Sequence, residues 1–155
     1  MLLSALIGTW RGEGAGEYPT ISPFSYTEEL TIEESGKPFL NYRQRTWSPA
    51  GTAMHTEVGF LRGPQEDAIE FIIAQPTGQT ELLEGSFTRT GSGFRLELDG
   101  KIMNSATAKQ VDATKRTIEL VTRASHPDQL TYSFAMAAVG VEMTHHLSAT
   151  LHRVD

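Results

Sequence analysis

Turn-forming residues interrupt this chain about every 12 to 15 residues, and no apolar stripe of helical period runs between them. Between the turns, β-branched and aromatic residues alternate with polar ones, most clearly over residues 28–32, 94–98 and 117–122. Such alternation is typical of strands that bury one face. The predicted turns are at residues 36–38, 48–51, 63–64, 76–78, 91–93 and 126–128. The pattern therefore predicts an all-β chain of about ten antiparallel strands.

These strands most economically close on themselves, because closure removes the exposed edges of an open sheet. We expect residues 1–155 to form a single domain, a closed or nearly closed up-and-down barrel of the lipocalin or fatty-acid-binding-protein type. Barrels of this size can hold one small ligand. Short helical turns are expected near residues 2–7 and 20–24. Because Pro19 and Pro23 disfavour a central strand, segment 18–24 is predicted to cross or cover a barrel mouth.

Composition excludes several classes of partner and cofactor. The formal net charge of −6 argues against nucleic acid, and no apolar run approaches the length of a membrane-spanning helix. The absence of cysteine excludes disulfides and thiolate ligation of a metal, and we expect a cytoplasmic protein. The acidic residues Glu28, Glu29, Glu33 and Glu34 are interpreted as a solvated strand face.

The five histidines do not suggest a zinc site, which needs three or four converging ligands. In a strand over residues 144–153, His145 and His146 point to opposite faces, and His152 lies roughly 20 Å from His146. A haem needs only one histidine, because the porphyrin supplies four nitrogens. Strand alternation alone, however, puts His146 on the face opposite Leu147. Contact with an interior ligand therefore requires a bulge, the start of the strand or the barrel mouth.

Other candidate residues permit a structural or a functional interpretation. Met54, His55 and Gln75 lie in strands rich in apolar residues, where a lone polar group is more often a hydrogen-bonded core residue than a ligand contact. Tyr18 and Thr20 are hydrogen-bonding candidates at the cavity edge. A carrier of fatty acids would instead need an interior clamp for a carboxylate, which Arg43 or Arg62 with Tyr42 could supply. Trp10, two residues after Gly8, is interpreted as a core residue that plugs one end of the barrel.

The chain resembles the nitrobindins, a family of ten-stranded haem-binding β-barrels, over nearly its whole length. Residues 8–14 (GTWRGEG) fit the family pattern GxWxGxG at every fixed position, and YPT follows at residues 18–20. The order and spacing of further motifs agree with the family. These are GKPFL at 36–40, Met54-His55, GFLR at 59–62, AQPTG at 74–78, Met136-Ala137 and His146-Leu147.

The resemblance implies one haem b per chain, with the iron ligated by His146 rather than His145. It also implies that five further residues contact the haem. They are Thr20, Met54, His55, Gln75 and Met136. Some members direct a basic residue toward the haem propionates, for which Lys115 or Arg116 is the candidate here. Where many members have Pro-Leu before the axial region, this chain has Glu142-Met143, which we expect to alter the loop on the histidine side slightly.

The activity implied by the resemblance is isomerisation of peroxynitrite to nitrate at a ferric haem, together with binding of nitric oxide. The expected partners are thus small molecules, with neither nucleic acid nor membrane, and the oligomeric state is left open, a homodimer being one alternative. The principal alternative function is a non-catalytic carrier of a fatty acid or another apolar ligand in the same cavity, because fold alone does not decide function. A zinc hydrolase ranks below both.

Overall fold

A computed structural model describes residues 2–155 as a short 3₁₀ helix, Leu2–Leu6, followed by ten β-strands. The strands are β1 (Gly8–Tyr18), β2 (Ile21–Lys37), β3 (Phe39–Trp47), β4 (Ala53–Gln65), β5 (Ala68–Ala74), β6 (Gln79–Arg89), β7 (Gly93–Asn104), β8 (Val111–Val121), β9 (Gln129–Ala138) and β10 (Val141–Arg153). Buried and exposed side chains alternate along most strands, as the period-two sequence pattern requires.

Each strand pairs antiparallel with the next along the chain, and β10 returns to pair with β1, so the sheet is a closed barrel. The closing ladder runs from Trp10 opposite Arg153 to Gly16 opposite Leu147. The prediction of an all-β, up-and-down barrel of about ten strands is therefore confirmed. Within residues 2–155, no helix has the length and apolar character needed to span a membrane.

One end of the barrel is closed by the 3₁₀ helix and an apolar core. Leu3 and Leu6 are completely or almost completely buried, and the Trp10 indole Nε1 donates a 2.9 Å hydrogen bond to the Leu6 carbonyl. The Arg153 guanidinium lies 4.2 Å from the centre of the Trp10 ring, where its charge faces the π cloud. Trp10 is thus a fully buried residue at this end of the barrel, as predicted.

Two local predictions are wrong. Residues 63–64 lie inside β4, and the chain turns at residues 66–67 instead. Residues 20–24 form no helical turn: the chain turns at Pro19 and Thr20, and β2 begins at Ile21. Pro23 is tolerated because it lies at a bulge, where the β1–β2 register shifts, and because β2 pairs with β3 only from Thr27 onward. Segment 18–24 is therefore a hairpin rather than a crossing loop.

Glycines in β1 allow two aromatic rings to lie flat across that strand. A Cβ at Gly14 would come within 2.3 Å of Tyr26 Cζ, and a Cβ at Gly16 within 2.2 Å of Phe24 Cζ. Both rings belong to β2, and both contribute to the wall of the cavity described below. The glycine-rich first strand therefore makes room for aromatic side chains next to the barrel mouth.

A close backbone approach in β6 gives a test of barrel packing. A Cβ at Gly85 would lie 1.8 Å from the Glu97 carbonyl oxygen, whereas a Cβ at Gly91 would meet nothing within 4 Å. We expect Gly85→Ala to destabilise the barrel by about 1 to 3 kcal/mol and to lower Tm by roughly 2 to 12 °C. Thermal unfolding followed by circular dichroism measures this. Gly91→Ala is the matched control, and an equal Tm for the two variants would contradict the predicted clash.

Candidate functional site

A cavity of about 580 Å³ lies at the end of the barrel remote from the 3₁₀ helix, where the odd-numbered strands end and the even-numbered strands begin. Its volume is in the range of small-molecule and cofactor sites. The structure brings all six predicted site residues to the lining of this one cavity. They are Thr20, Met54, His55, Gln75, Met136 and His146. Thr20 belongs to the β1–β2 turn, and the others come from four different strands or strand ends.

A β-bulge brings His146 into the cavity. His145 is opposite Ala135 and Leu147 is opposite Phe134, so His146 is an extra residue of β10 with no partner in β9. Leu147 and His146 therefore both line the cavity, although they are adjacent in sequence, and His145 is exposed. The bulge removes the conflict with strand alternation.

The hydrogen bond of His146 determines which ring nitrogen is available. Nδ1 lies 2.9 Å from the Glu17 carbonyl oxygen, which can only accept a hydrogen bond, so Nδ1 carries the proton. Burial lowers the pKa of His146 below its ordinary value, which favours the neutral ring. In residues 2–155, Nε2 has no hydrogen-bond partner. The imidazole is therefore a neutral tautomer with a free lone pair on Nε2, and metal-binding histidines have the same arrangement.

Three aromatic rings surround the His146 imidazole. The ring centres of Tyr18, Phe24 and Phe134 lie 5.4, 6.3 and 6.0 Å from that of His146. Tyr18 meets the imidazole edge to face, at an interplanar angle of 70°. These rings belong to three strands, β1, β2 and β9, so the imidazole is confined from several directions by rigid side chains.

Charged residues form the floor of the cavity. Arg116 is buried between two carboxylates: Nη1 lies 2.8 Å from Glu57 Oε1, and Nη2 lies 2.5 Å from Glu81 Oε1. Burial would raise the pKa of the Glu57 carboxyl, but Arg116, His55 and Tyr42 outweigh burial and hold that pKa below its ordinary value. Burial would lower the pKa of Arg116, but the two carboxylates outweigh burial and raise that pKa above its ordinary value. The interior cation is thus already neutralised by protein groups.

Glu28 forms a second polar group beside this floor. Its carboxylate accepts a 2.7 Å hydrogen bond from the Tyr132 hydroxyl, which lies 2.7 Å from the Tyr26 hydroxyl. Burial raises the pKa of Glu28 to about 7, with Glu57 acting in the same direction, while Tyr132, Gln44 and Arg116 oppose the increase. The Oε1 atom of Gln44 is buried without a hydrogen-bond partner within the described residues. Glu28 is therefore not part of a solvated face, and that prediction is wrong for it.

Of the two basic residues considered for the haem propionates, Arg116 lines the cavity and Lys115 does not. Lys115 points outward and pairs with Asp99, so it does not face the cavity. The predicted fatty-acid clamp is absent: Arg43 is exposed, and Arg62 pairs with Glu70 on the outer surface. Tyr42 does face inward, but its hydroxyl donates to Glu57. Lys109, from the segment between β7 and β8, is a cation of the cavity lining that the sequence analysis missed.

Strand alternation contains the signal that could have identified the buried charges. Glu28 is in phase with the buried Leu30, and Glu81 is in phase with the buried Leu83. Arg116 is likewise in phase with Leu120. Hydrophobicity patterns alone assign such charged positions to the surface, because an ionised side chain is seldom buried without a partner.

No group of three histidine, cysteine, aspartate or glutamate side chains in residues 2–155 converges to hold a metal ion.

The fold and the site together define a class: small β-barrel proteins that hold a ligand or cofactor in a cavity at the barrel mouth. A family model described as "THAP4-like, heme-binding beta-barrel domain" matches residues 1–153. The chain belongs to this family of haem-binding barrels, which confirms the resemblance to the nitrobindins and haem as the class of cofactor.

Similar proteins agree with this assignment. A peroxynitrite isomerase from Nocardia farcinica (strain IFM 10152) is 48% identical over 153 residues, which are 97% of this chain and 88% of that protein. Peroxynitrite isomerase 2 from Mycobacterium ulcerans (strain Agy99) is 43% identical over 97% of this chain and 92% of its own length. The crystal structure of Rv2717c from M. tuberculosis superimposes with a TM-score of 0.89 at 40% identity, covering 99% of this chain and 98% of that chain.

The buried Glu28 predicts a pH-dependent stability. Its folded-state pKa, about 7, exceeds the ordinary 4.5, so between these values the native state holds a proton that the unfolded chain has released. Stability contributed by protonated Glu28 is thus lost as pH rises from about 4.5 to 7. Glu28→Gln removes this loss. We expect the Tm difference, variant minus wild type, to increase from pH 5 to 7.5 and then to level off, reflecting on the order of 3 kcal/mol.

Differential scanning calorimetry across pH measures this difference. The exposed Glu33 lies on the same strand, and Glu33→Gln is the control for which the difference stays constant. A constant difference for Glu28→Gln would mean that Glu28 titrates normally in the folded protein.

Proposed function

We propose that this chain binds one haem b through His146 and converts peroxynitrite to nitrate at the ferric haem. The observation that carries the proposal is the tautomer of His146, with Nδ1 bonded to the Glu17 carbonyl and Nε2 free in the cavity. Family membership supports the cofactor, and the names of the similar proteins from Nocardia farcinica and Mycobacterium ulcerans support the reaction. In this proposal residues 1–155 act as one domain.

The residues of the cavity fit a haem by their donor chemistry. His146 supplies a neutral nitrogen ligand, and its bond to Glu17 orients the ring and increases its basicity. Met54 and Met136 supply apolar, polarisable surface, while Thr20, His55 and Gln75 supply hydrogen-bonding groups. When bound, a ferric haem would supply a Lewis-acidic iron toward peroxynitrite.

The protein's own contribution is binding, orientation and access. Phe24, Phe134 and Tyr18 pack around the His146 ring and keep Nε2 directed to the cavity. The floor, where Glu57 and Arg116 line the cavity and Glu81 pairs with Arg116, limits how deep a bound group can lie. We also propose that nitric oxide is a second ligand of the same site and that the protein is cytoplasmic. For the oligomeric state, a homodimer is the alternative to a monomer.

A fatty-acid carrier is less well supported. Such a carrier uses an interior cation to bind the carboxylate of its ligand. Arg116 is the buried arginine of this cavity, and Glu57 and Glu81 already occupy its guanidinium. A further carboxylate there would face two negative groups in a desolvated site.

The first test is a titration of the purified chain with hemin, followed by absorption spectroscopy. The wild type is expected to give a saturable Soret band at one hemin per chain, with the spectrum of a histidine-ligated haem. His146→Ala is expected to lose that spectrum, whereas His145→Ala is expected to retain it because His145 is exposed. An unchanged spectrum in His146→Ala would disprove the assignment of the axial ligand.

The second test is the reaction itself. Stopped-flow absorbance is expected to record faster decay of peroxynitrite with the hemin-loaded wild type than with buffer, and ion chromatography to record an increased share of nitrate. His145→Ala is expected to match the wild type. A decay no faster than that with an equal concentration of free hemin would overturn the proposed activity while leaving haem binding in place.

A further inference from the structure

Backbone pairing of β10 is interrupted at His146. The β1–β10 ladder ends at the pair Gly16–Leu147, so it does not include His146, the residue that precedes Leu147 in the chain. On the other side, the β9–β10 register shifts twice, between Val141 and Thr144 and between His145 and Leu147. His145 and Leu147 are therefore paired with β9, but His146 itself has no ladder partner in β9 or in β1.

Tyr18 spans this segment. Its hydroxyl donates a 3.0 Å hydrogen bond to the Met136 carbonyl and accepts a 3.2 Å hydrogen bond from the Ala138 amide. Both groups belong to β9, although Tyr18 belongs to β1 and β10 lies between the two strands. They lie on either side of Ala137, where the β9–β10 register shifts, so the Tyr18 hydroxyl bridges the irregular part of β9.

The same side chain also contacts the histidine. The Tyr18 ring meets the His146 ring at 5.4 Å, and the carbonyl of the preceding residue, Glu17, accepts the hydrogen bond from Nδ1. Tyr18 is buried, with 5% of its surface exposed. A displacement of Tyr18 would therefore move both the aromatic contact and the carbonyl that fixes the tautomer.

We propose that Tyr18 is a positioning residue for His146: by fastening β1 to β9 across the bulged β10, its hydroxyl keeps the Glu17 carbonyl on Nδ1 and Nε2 directed to the cavity. This proposal deepens the proposed function, on which its ligand-binding part depends. The geometry of the ligand-free protein can be tested separately.

The decisive variant is Tyr18→Phe, which keeps the ring and removes the two hydrogen bonds. We expect faster hydrogen exchange at the Ala138 amide and ¹⁵N chemical shifts of the His146 ring that change from one tautomer to a mixture. Transfer of hemin to apomyoglobin is expected to be roughly 10- to 100-fold faster, as for other outer partners of a metal-ligating histidine.

Trp10→Phe is the matched control, because Trp10 is also a buried aromatic residue that donates a hydrogen bond to a backbone carbonyl, that of Leu6, at the end of the barrel remote from His146. It is expected to leave the His146 ¹⁵N shifts and the hemin dissociation rate unchanged, even where its Tm decreases as much as that of Tyr18→Phe. If the two variants increased the hemin dissociation rate equally, the effect of Tyr18 would be a general loss of stability, and the proposal would be overturned.

Two outcomes separate this proposal from the proposed function. If the wild type fails to bind hemin, the haem proposal fails, while hydrogen exchange and the ¹⁵N shifts still measure the effect of Tyr18 on His146. Rapid exchange of the Ala138 amide in the wild type would overturn the role of Tyr18 without requiring any variant to fold.

Discussion

The pairing of β1 with β10, which closes the barrel, is the constraint on which the rest of the structure depends. A closed sheet has no free edge, so an additional residue in one strand cannot be accommodated by fraying and must form a bulge. His146 is such a residue in β10. Because the ladder from Trp10–Arg153 to Gly16–Leu147 fixes the register below it, the bulge directs His146 into the cavity at the barrel mouth.

The polar floor divides the barrel interior into an apolar core and a cavity. Buried ionised groups are costly unless they are paired, and Arg116 satisfies this condition through Glu57 and Glu81. Removal of one member would leave the others charged and desolvated, so the three residues act as a unit. The floor also limits the depth of the cavity, because an apolar chain that extended deeper would have to displace these charges.

Much of the fold could be predicted from the sequence, because period-two alternation and turn residues are local signals. The strands around Leu30, Leu96 and Leu120 follow that alternation, and the closed barrel follows from their number. The arrangement of the site was harder to predict from the sequence than the fold. Alternation assigned His146 to the outer face, since a single additional residue in one strand has no compositional signature and depends on pairing with β9. The buried Glu28 was missed for a different reason: it is in phase with Leu30, but the partner that makes its burial acceptable, Tyr132, is more than 100 residues away along the chain.

Departures from regular pairing are concentrated at the mouth of the barrel. The bulge at Pro23 shapes the β1–β2 hairpin, and the bulge at His146 turns one histidine inward while its neighbour His145 stays in solvent. Each departure leaves backbone groups without ladder partners, and side chains of this same region bond to them: His146 to the Glu17 carbonyl, and Tyr18 to β9. The irregularity that makes a nitrogen ligand available is thus also stabilised by the side chains that orient it, which couples the local fold to the chemistry of the site.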